Sequence, residues 1–274
     1  MYDEILNILD KYIYLKKEIE EIRIRVNKKI ILKSRNKDVR VSYVVENNEI
    51  MYILEKICDN SIYAYKNQII QGYITIKGGH RVGIVGTCIV ENEKIVNIKN
   101  ITSLNFRVAR QIKGAGNKIA IEIINKEQNR IYNTLIVSPP GKGKTTILKD
   151  LIYIFSNGIQ DAITPKTIGV VDERGEIGGS YRGSFANDLG DKTDVIENVS
   201  KYQGINMLIR SMAPEIIACD EIGSKEDVAA IKYAFSSGIY GIFTMHGKSL
   251  EDVNRNVEIK ELIDSKLIEK IVFL

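Results

Sequence analysis

Several classes of protein are excluded by what this 274-residue chain has little of. It carries three cysteines, Cys58, Cys88 and Cys219, far apart and with no Cys-x-x-Cys spacing. That supply makes neither a disulfide framework nor a zinc site, and it suits a reducing cytoplasm. No apolar run approaches the roughly 18 residues that a membrane-spanning helix needs, so a membrane role is expected to be peripheral. The opening Met1-Tyr-Asp-Glu-Ile5 lacks the basic-then-apolar design of a signal peptide. A net charge of +4 is too mild to argue for nucleic acid, though it fits an anionic partner or a membrane surface. Single-strand binders interleave aromatic and basic residues into a platform, and none is present. Histidine is scarce too, with two in the chain, and His246 has no second ligand near it that would complete a zinc site. What remains is ordinary for a globular protein: 44% hydrophobic and 27% charged residues, in a length that favours two modest cores.

The most informative stretch is Asn133-Thr-Leu-Ile-Val-Ser-Pro-Pro-Gly-Lys-Gly-Lys-Thr-Thr-Ile-Leu-Lys-Asp150. Residues 134–137 are a β-branched and apolar run, which predicts a buried strand. Pro139, Pro140, Gly141, Lys142 and Gly143 break regular structure. From Lys144 onward Ile147, Leu148, Leu151, Ile152 and Phe155 recur at helical spacing. Strand, glycine-rich loop, Lys-Thr and helix in that order are a P-loop unit. Such a loop turns successive N–H groups toward one point, and the helix aims its positive end at the same point. A polyphosphate fits there, with Lys144 reaching the β- and γ-phosphates and the Thr145 hydroxyl on Mg²⁺. Ser138 stands where the pattern has its first glycine. Ser138 through Thr146 are thus the expected ATP-binding residues, and Thr145 is an expected metal ligand.

Ahead of this unit, residues 3–13 read as an amphipathic helix. Residues 20–26 alternate, with Ile22, Ile24 and Val26 inward and Arg23 and Arg25 outward, as in a half-buried strand. Residues 30–32 and 39–45 predict further strands, and 50–57 with 62–70 a helical pair. Lys77-Gly-Gly-His80 predicts a hairpin, Glu91-Asn-Glu93 a second one, and residues 104–109 a last strand or short helix. Lys113-Gly-Ala-Gly-Asn117 is the most linker-like stretch. The division expected is therefore an α+β N-terminal domain over 1–112, a linker at 113–117, and a P-loop domain over 118–274. Later strands at 167–171, 216–219 and 240–244, each after a helical segment, predict an α/β fold with a doubly wound parallel sheet. Its ligand belongs at the carboxyl ends of the strands. Residues 270–274 form a terminal apolar strand, read either as one that pairs elsewhere or as the mark of a truncated chain.

Three strand ends carry chemistry. Ile216-Ile-Ala-Cys-Asp220-Glu221 delivers two carboxylates: Asp220 for the Mg²⁺, Glu221 to polarise the attacking water. A helix cap is the competing reading of that pair. Ile168-Gly-Val-Val-Asp172-Glu173-Arg174-Gly-Glu176 repeats the geometry and places Asp172 or Glu173 near the γ-phosphate or metal, with Arg174 as a charge partner. The plain alternative is a solvated, salt-bridged loop. Phe243-Thr-Met-His246-Gly247 ends a strand at the same edge, and His246 fits a γ-phosphate sensor; a satisfied surface histidine is the alternative. Phosphoryl transfer is catalysed mostly by placed charge, so Arg210 at a helix end and Arg107 and Arg110 beside the linker are further candidates.

The strings Glu21-Ile-Arg-Ile-Arg-Val26, Gly78-Gly-His-Arg-Val-Gly-Ile84, Ser103-Leu-Asn-Phe-Arg107, Val171-Asp-Glu-Arg-Gly-Glu-Ile177, Tyr181-Arg-Gly, Asn187-Asp-Leu-Gly, Leu208-Ile-Arg-Ser-Met-Ala-Pro-Glu215, Asp220-Glu-Ile-Gly and His246-Gly resemble the stage III sporulation protein AA family. The likeness covers nearly the whole chain. More distantly, the order Walker A, acidic box, Walker B and His box looks like the secretion ATPases of type II, type IV pilus and type IV secretion systems. The resemblance implies a RecA/AAA-like P-loop ATPase using ATP and Mg²⁺, assembled as a hexameric ring with ATP between its two domains and near a subunit boundary. It places the protein on the mother-cell side of the membranes around the forespore. There it would power a secretion-like channel with membrane-embedded partners such as stage III sporulation protein AB, and without nucleic acid. Ser138 and Lys142 depart from the usual loop, and Leu274 comes earlier than the family's usual C-terminal region. Two readings stay open: a motor that hydrolyses ATP, and a nucleotide-gated scaffold that recruits membrane partners with negligible turnover.

Overall fold

Strands of two kinds build the protein, and their sequences differ as their surroundings do. The computed structural model describes residues 18–34 and 37–274, and the helix expected over residues 3–13 lies outside them. The chain divides into two units, Met1–Arg110 with Gly179–Ala186, and Gln111–Gly178 with Asn187–Leu274.

In the first unit β1 (Ile19–Arg25), β2 (Lys29–Ser34), β3 (Asp38–Val44), β4 (Tyr73–Ile76), β5 (His80–Glu91) and β6 (Lys94–Arg107) form a six-stranded sheet in the order β3-β2-β1-β6-β5-β4. Every neighbouring pair is antiparallel. Alternation puts Ile24, Leu32, Ile74, Val82, Ile84 and Leu104 on one face. There they pack against Ile50, Ile53 and Leu54 of α1 (Asn47–Ile57), which a Glu46/Glu49 capping box starts. The second expected helix begins as a 3₁₀ turn, Ile62–Tyr65, before α2 (Lys66–Ile70). β5 and β6 join through Asn92 and Glu93, both at positive φ (48° and 62°), the turn whose twist matches that of a hairpin. The run at 104–109 continues as strand through Arg107.

The second unit opens with α3 (Asn117–Ile123) and the small hairpin β7 (Ile124–Asn125) and β8 (Arg130–Ile131). It continues with β9 (Thr134–Ser138), α4 (Lys144–Asn157) and β10 (Ile168–Asp172). The chain then leaves through the hairpin β11 (Ser180–Tyr181) and β12 (Ser184–Phe185). It returns for β13 (Thr193–Glu197), α5 (Lys201–Met212), β14 (Ile216–Cys219), α6 (Lys225–Ser236), β15 (Tyr240–His246), α7 (Leu250–Arg255), α8 (Val257–Asp264) and β16 (Lys270–Phe273). Its six-stranded sheet runs β13-β10-β14-β15-β9-β16, with all pairs parallel. β9, β10 and β14 are buried at every residue, because both faces are covered. Ile216 and Ala218 join one apolar cluster with α3 and α4. Ile217 and Cys219 join another with α5, α6 and α8. The terminal apolar run pairs with β9 as an edge strand.

Residues 113–117 are pinned rather than free. The Gly114 and Gly116 N–H groups donate to the buried Asp150 carboxylate of α4 at 3.0 and 2.7 Å, and the Lys113 ammonium meets Asp188 at 2.7 Å. The β11–β12 hairpin belongs to the first unit, a return that a single boundary does not contain. Tyr181 and Arg182 both reach the Asp59 carboxylate there, Arg182 at 2.8 Å. Gly79, at φ +69°, lies so near Gly179 that an added Cβ would stand 3.0 Å from its Cα. Among the described residues no helix is long and apolar enough to cross a membrane. Since all strands of the second sheet point one way, Ser138, Asp172, Asp220 and His246 come to the same edge.

Candidate active site

The loop after β9 is shaped by two glycines. Gly141 and Gly143 sit at φ +75° and +90°, and an added Cβ at either would meet no atom within 4 Å, so conformation rather than space requires glycine there. Ser138 has a negative φ, is 1% exposed, and donates its hydroxyl to the Pro139 carbonyl at 3.0 Å. A first glycine is therefore not needed at that place. Pro140, Gly141 and Lys142 form an exposed lip, while Thr146 is half-buried on α4.

Lys144 opens α4 and is buried. Its ammonium donates to the Ser138 carbonyl at 3.1 Å, the Pro139 carbonyl at 3.4 Å and His246 Nδ1 at 2.9 Å. Burial pulls its pKa below the ordinary value, against the pull of Asp220 and Glu221. His246 comes within reach because β15 lies beside β9 with His246 opposite Ser138. An ammonium has no lone pair to offer, so Nδ1 accepts and Nε2 carries the proton. Nε2 then donates to Glu221 Oε1 at 2.6 Å. The other oxygen, Oε2, takes Arg174 Nη1 at 2.6 Å. The result is one hydrogen-bonded chain, Lys144–His246–Glu221–Arg174.

A second chain runs beside it. Thr145 Oγ1 donates to Asp220 Oδ2 at 2.6 Å, and the Thr244 hydroxyl donates to Asp220 Oδ1. Thr244 also accepts the Glu221 N–H at 2.9 Å. That bond holds Glu221 in the left-handed region, φ 53°, a conformation that costs about 1 kcal/mol or more and is characteristic of working sites. Among the described residues no group of three or more His, Cys, Asp or Glu side chains could hold a metal by itself. One hydroxyl and one carboxylate side by side are instead the hard-oxygen pair that suits Mg²⁺ shared with substrate phosphates. The residues present fit that ion.

The family profile described as "Sporulation stage III, protein AA" matches residues 2–274. The chain belongs to that family. It is 38% identical over 253 residues to the stage III sporulation protein AA of Bacillus subtilis (strain 168), covering 92% of this chain and 81% of that one. Among solved structures it resembles the Yersinia pseudotuberculosis ATPase DotB, with a TM-score of 0.62 at 15% identity over 96% of this chain and 73% of the other. It also resembles the pilus retraction motor PilT with bound ADP, with a TM-score of 0.57 at 15% identity over 93% and 71%. At that identity the likeness shows the fold: a P-loop sheet domain preceded by an antiparallel unit.

Five expected residues have their described contacts away from the Lys144–His246 and Thr145–Asp220 bonds. Asp172 does not face the loop lysine. It is 2% exposed, and its oxygens accept the N–H groups of Glu176, Ile177 and Gly178 at 2.9, 2.9 and 2.8 Å. Burial pushes its carboxyl up to about 6 against those bonds, with Glu197 adding to the rise. It anchors the acidic loop instead of reaching a phosphate. Glu173 is ion-paired with Lys201 at the first turn of α5. Arg210 is exposed at the other end of α5, among residues that lead into the start of β14. A helix that precedes a parallel strand runs against it, so its last turn lies at the amino edge, opposite Lys144. Arg107 and Arg110 belong to the first unit, where Arg110 Nη2 donates to the Ile19 carbonyl at 2.6 Å and Arg107 lies opposite Glu21 in register.

Lys201 and Thr244 are the residues that sequence reasoning missed. Thr244 was findable, since alternation puts it on the same side of β15 as His246. Nothing local marks Lys201.

Proposed function

We propose that this chain is a Mg²⁺-dependent ATPase that drives a secretion-like channel of sporulation. It works as a ring, hexameric in this reading, on the mother-cell side of the membranes around the forespore. Membrane-embedded partners such as stage III sporulation protein AB receive its motion, and nucleic acid plays no part. The observation that carries the reading is the hydroxyl-to-carboxylate bond between Thr145 and Asp220, beside a buried lysine at the head of a helix. The names of the fold neighbours, an ATPase and a retraction motor with bound ADP, support it.

Each residue has a task in this scheme. The loop 139–143 and the N-terminus of α4 bind the phosphates through N–H groups. Thr145 and Asp220 would hold the metal, which would supply positive charge against the phosphates. Lys144 exchanges its carbonyl and imidazole acceptors for phosphate oxygens. That exchange releases His246, whose contact with Glu221 then loosens. Glu221 orients the attacking water and takes its proton, while His246 senses the γ-phosphate. Arg174 balances the charge on Glu221.

A second reading has its own observation. Both oxygens of Glu221 are taken, by Arg174 and by His246, which favours a protein that binds ATP as a gate for partner recruitment and turns over negligibly alone. Phosphate release and nucleotide binding, measured for wild type beside Glu221→Gln and Lys144→Ala, separate the two. Turnover in the wild type that both variants lose supports the motor. Binding without release in wild type and Glu221→Gln alike supports the gate, and no binding in any of them removes both.

A further inference from the structure

Lys149 is 6% exposed, a depth at which lysine is rare without countercharge. It follows Thr145 by four residues and so lies on the same face of α4, one turn along. Helical side chains lean toward the N-terminus, which brings its ammonium back up toward the Thr145–Asp220 bond. Burial pulls its pKa down, and the charges of Asp172, Glu176 and Asp220, which end or follow the neighbouring strands β10 and β14, act on its ammonium in the opposite direction. Other acids nearby have partners of their own: Glu173 has Lys201, and Glu221 has Arg174 and the Nε2–H of His246. Negative charge is crowded here, because Asp172 stands in register with Glu197, whose Oε1 is buried with no hydrogen-bond partner among the described residues. Lys144 is turned the other way, to Ser138, Pro139 and His246. The neighbouring positions Leu148, Leu151 and Ile152 are plain apolar core, where a leucine at 149 would pack without the cost of burying a charge.

We propose that Lys149 is a positioning residue of the nucleotide site: its buried ammonium is the countercharge shared by Asp172, Glu176 and Asp220, and it keeps the acidic loop 173–178 docked against the P-loop helix. The catalytic part of this rests on the ATPase reading above; the structural part does not. Without the cation, the Asp172 carboxylate faces Glu197 in a low-dielectric pocket and loses its hold as an anion on the N–H groups of Glu176, Ile177 and Gly178.

Hydrogen exchange on the full chain without nucleotide tests it directly. In Lys149→Met, at neutral pH, the amides of residues 176–178 exchange about tenfold faster than in wild type, the size expected from weakening charge-assisted bonds. Lys149→Arg restores their protection. In phosphate release, Lys149→Met lowers kcat about tenfold with KM for ATP within about twofold, as for a group that orders the site rather than binding substrate. A folded Lys149→Met whose loop amides stay as protected as in wild type overturns the proposal, whatever turnover does. If Lys149→Met does not fold, the double variant Lys149→Met/Asp172→Asn decides. Removal of the facing charge restores folding under this proposal, and a double variant that still does not fold overturns it. A wild type with no phosphate release sinks the ATPase reading alone, and the exchange comparison then judges Lys149 by itself.

Discussion

The two edges of the parallel sheet carry similar charges and use them differently. At the amino edge Arg130 meets Glu269 through two bonds of 2.8 and 2.9 Å, and Glu269 also accepts the Asn133 N–H at 2.8 Å. Lys166 meets Glu215 at 3.0 Å, and Glu215 accepts the Thr167 N–H at 3.0 Å. Each acid there has one cation and one backbone group, so these pairs fasten strand starts. At the carboxyl edge the charges are shared in sequence: Lys144 to His246, His246 to Glu221, Glu221 to Arg174. Removing one member of such a chain changes what the others can hold. Closed pairs suit structure, and shared chains suit a site whose contacts must change when a ligand arrives.

The largest test of that contrast is catalytic. Lys144→Ala and Glu221→Gln should each lower phosphate release at least about a hundredfold, the loss typical of a charge stabiliser or a general base. A loss under tenfold in both would show that the carboxyl-edge chain does no chemistry. Next comes a pH effect at Asp172. Its carboxyl stands at about 6 in the folded protein, against roughly 3.9 in an unfolded chain. The folded state therefore keeps that proton longer, and wild type loses stability relative to Asp172→Asn as pH rises from 4 to 6. The difference spans about 3 kcal/mol and is level above pH 7. Denaturant melts of both proteins at pH 4, 5, 6 and 7 check it, and parallel curves would contradict the burial argument.

A smaller effect belongs to the amino edge. Arg130 is mostly buried beside Glu269, so Arg130→Ala should cost about 1–2 kcal/mol of stability with phosphate release unchanged. A fall in turnover at full folding would erase the distinction between the edges. Smallest of all, Arg255→Ala removes a pair between an exposed arginine and Asp252 at 3.2 Å, and it should shift stability by less than about 0.5 kcal/mol in the same melts.

Much of the fold could be read from short-range pattern. The alternation around Ile22 and Ile24 predicts a half-buried strand, and β1 pairs with its neighbours in that register. The order of strand, loop and helix around Gly141, Gly143 and Lys144 predicts the turn that forms. Residues such as Asp172 were harder. A carboxylate at a strand end looks the same in sequence whether it faces a phosphate or its own following loop, and only burial and its N–H partners tell the two apart. The β11–β12 hairpin was invisible for a related reason: two-residue strands leave no periodicity, and their place depends on Asp59, more than a hundred residues earlier in the chain.

The amino-acid sequence alone settled what is local: most of the longer strands, where the glycine-rich turn lies, and which acids follow which strand. Neighbours within a few residues decide those, through backbone conformation and side-chain spacing. Tertiary structure decided adjacency. Strands buried on both faces read as uniform apolar runs, so their order β13-β10-β14-β15-β9-β16 cannot be taken from pattern. That order brings His246 beside Ser138, sets Lys201 and Lys149 among the acids, and sends Arg210 to the opposite edge. It follows from packing two helical layers against one sheet, a property of the whole unit and of no segment within it.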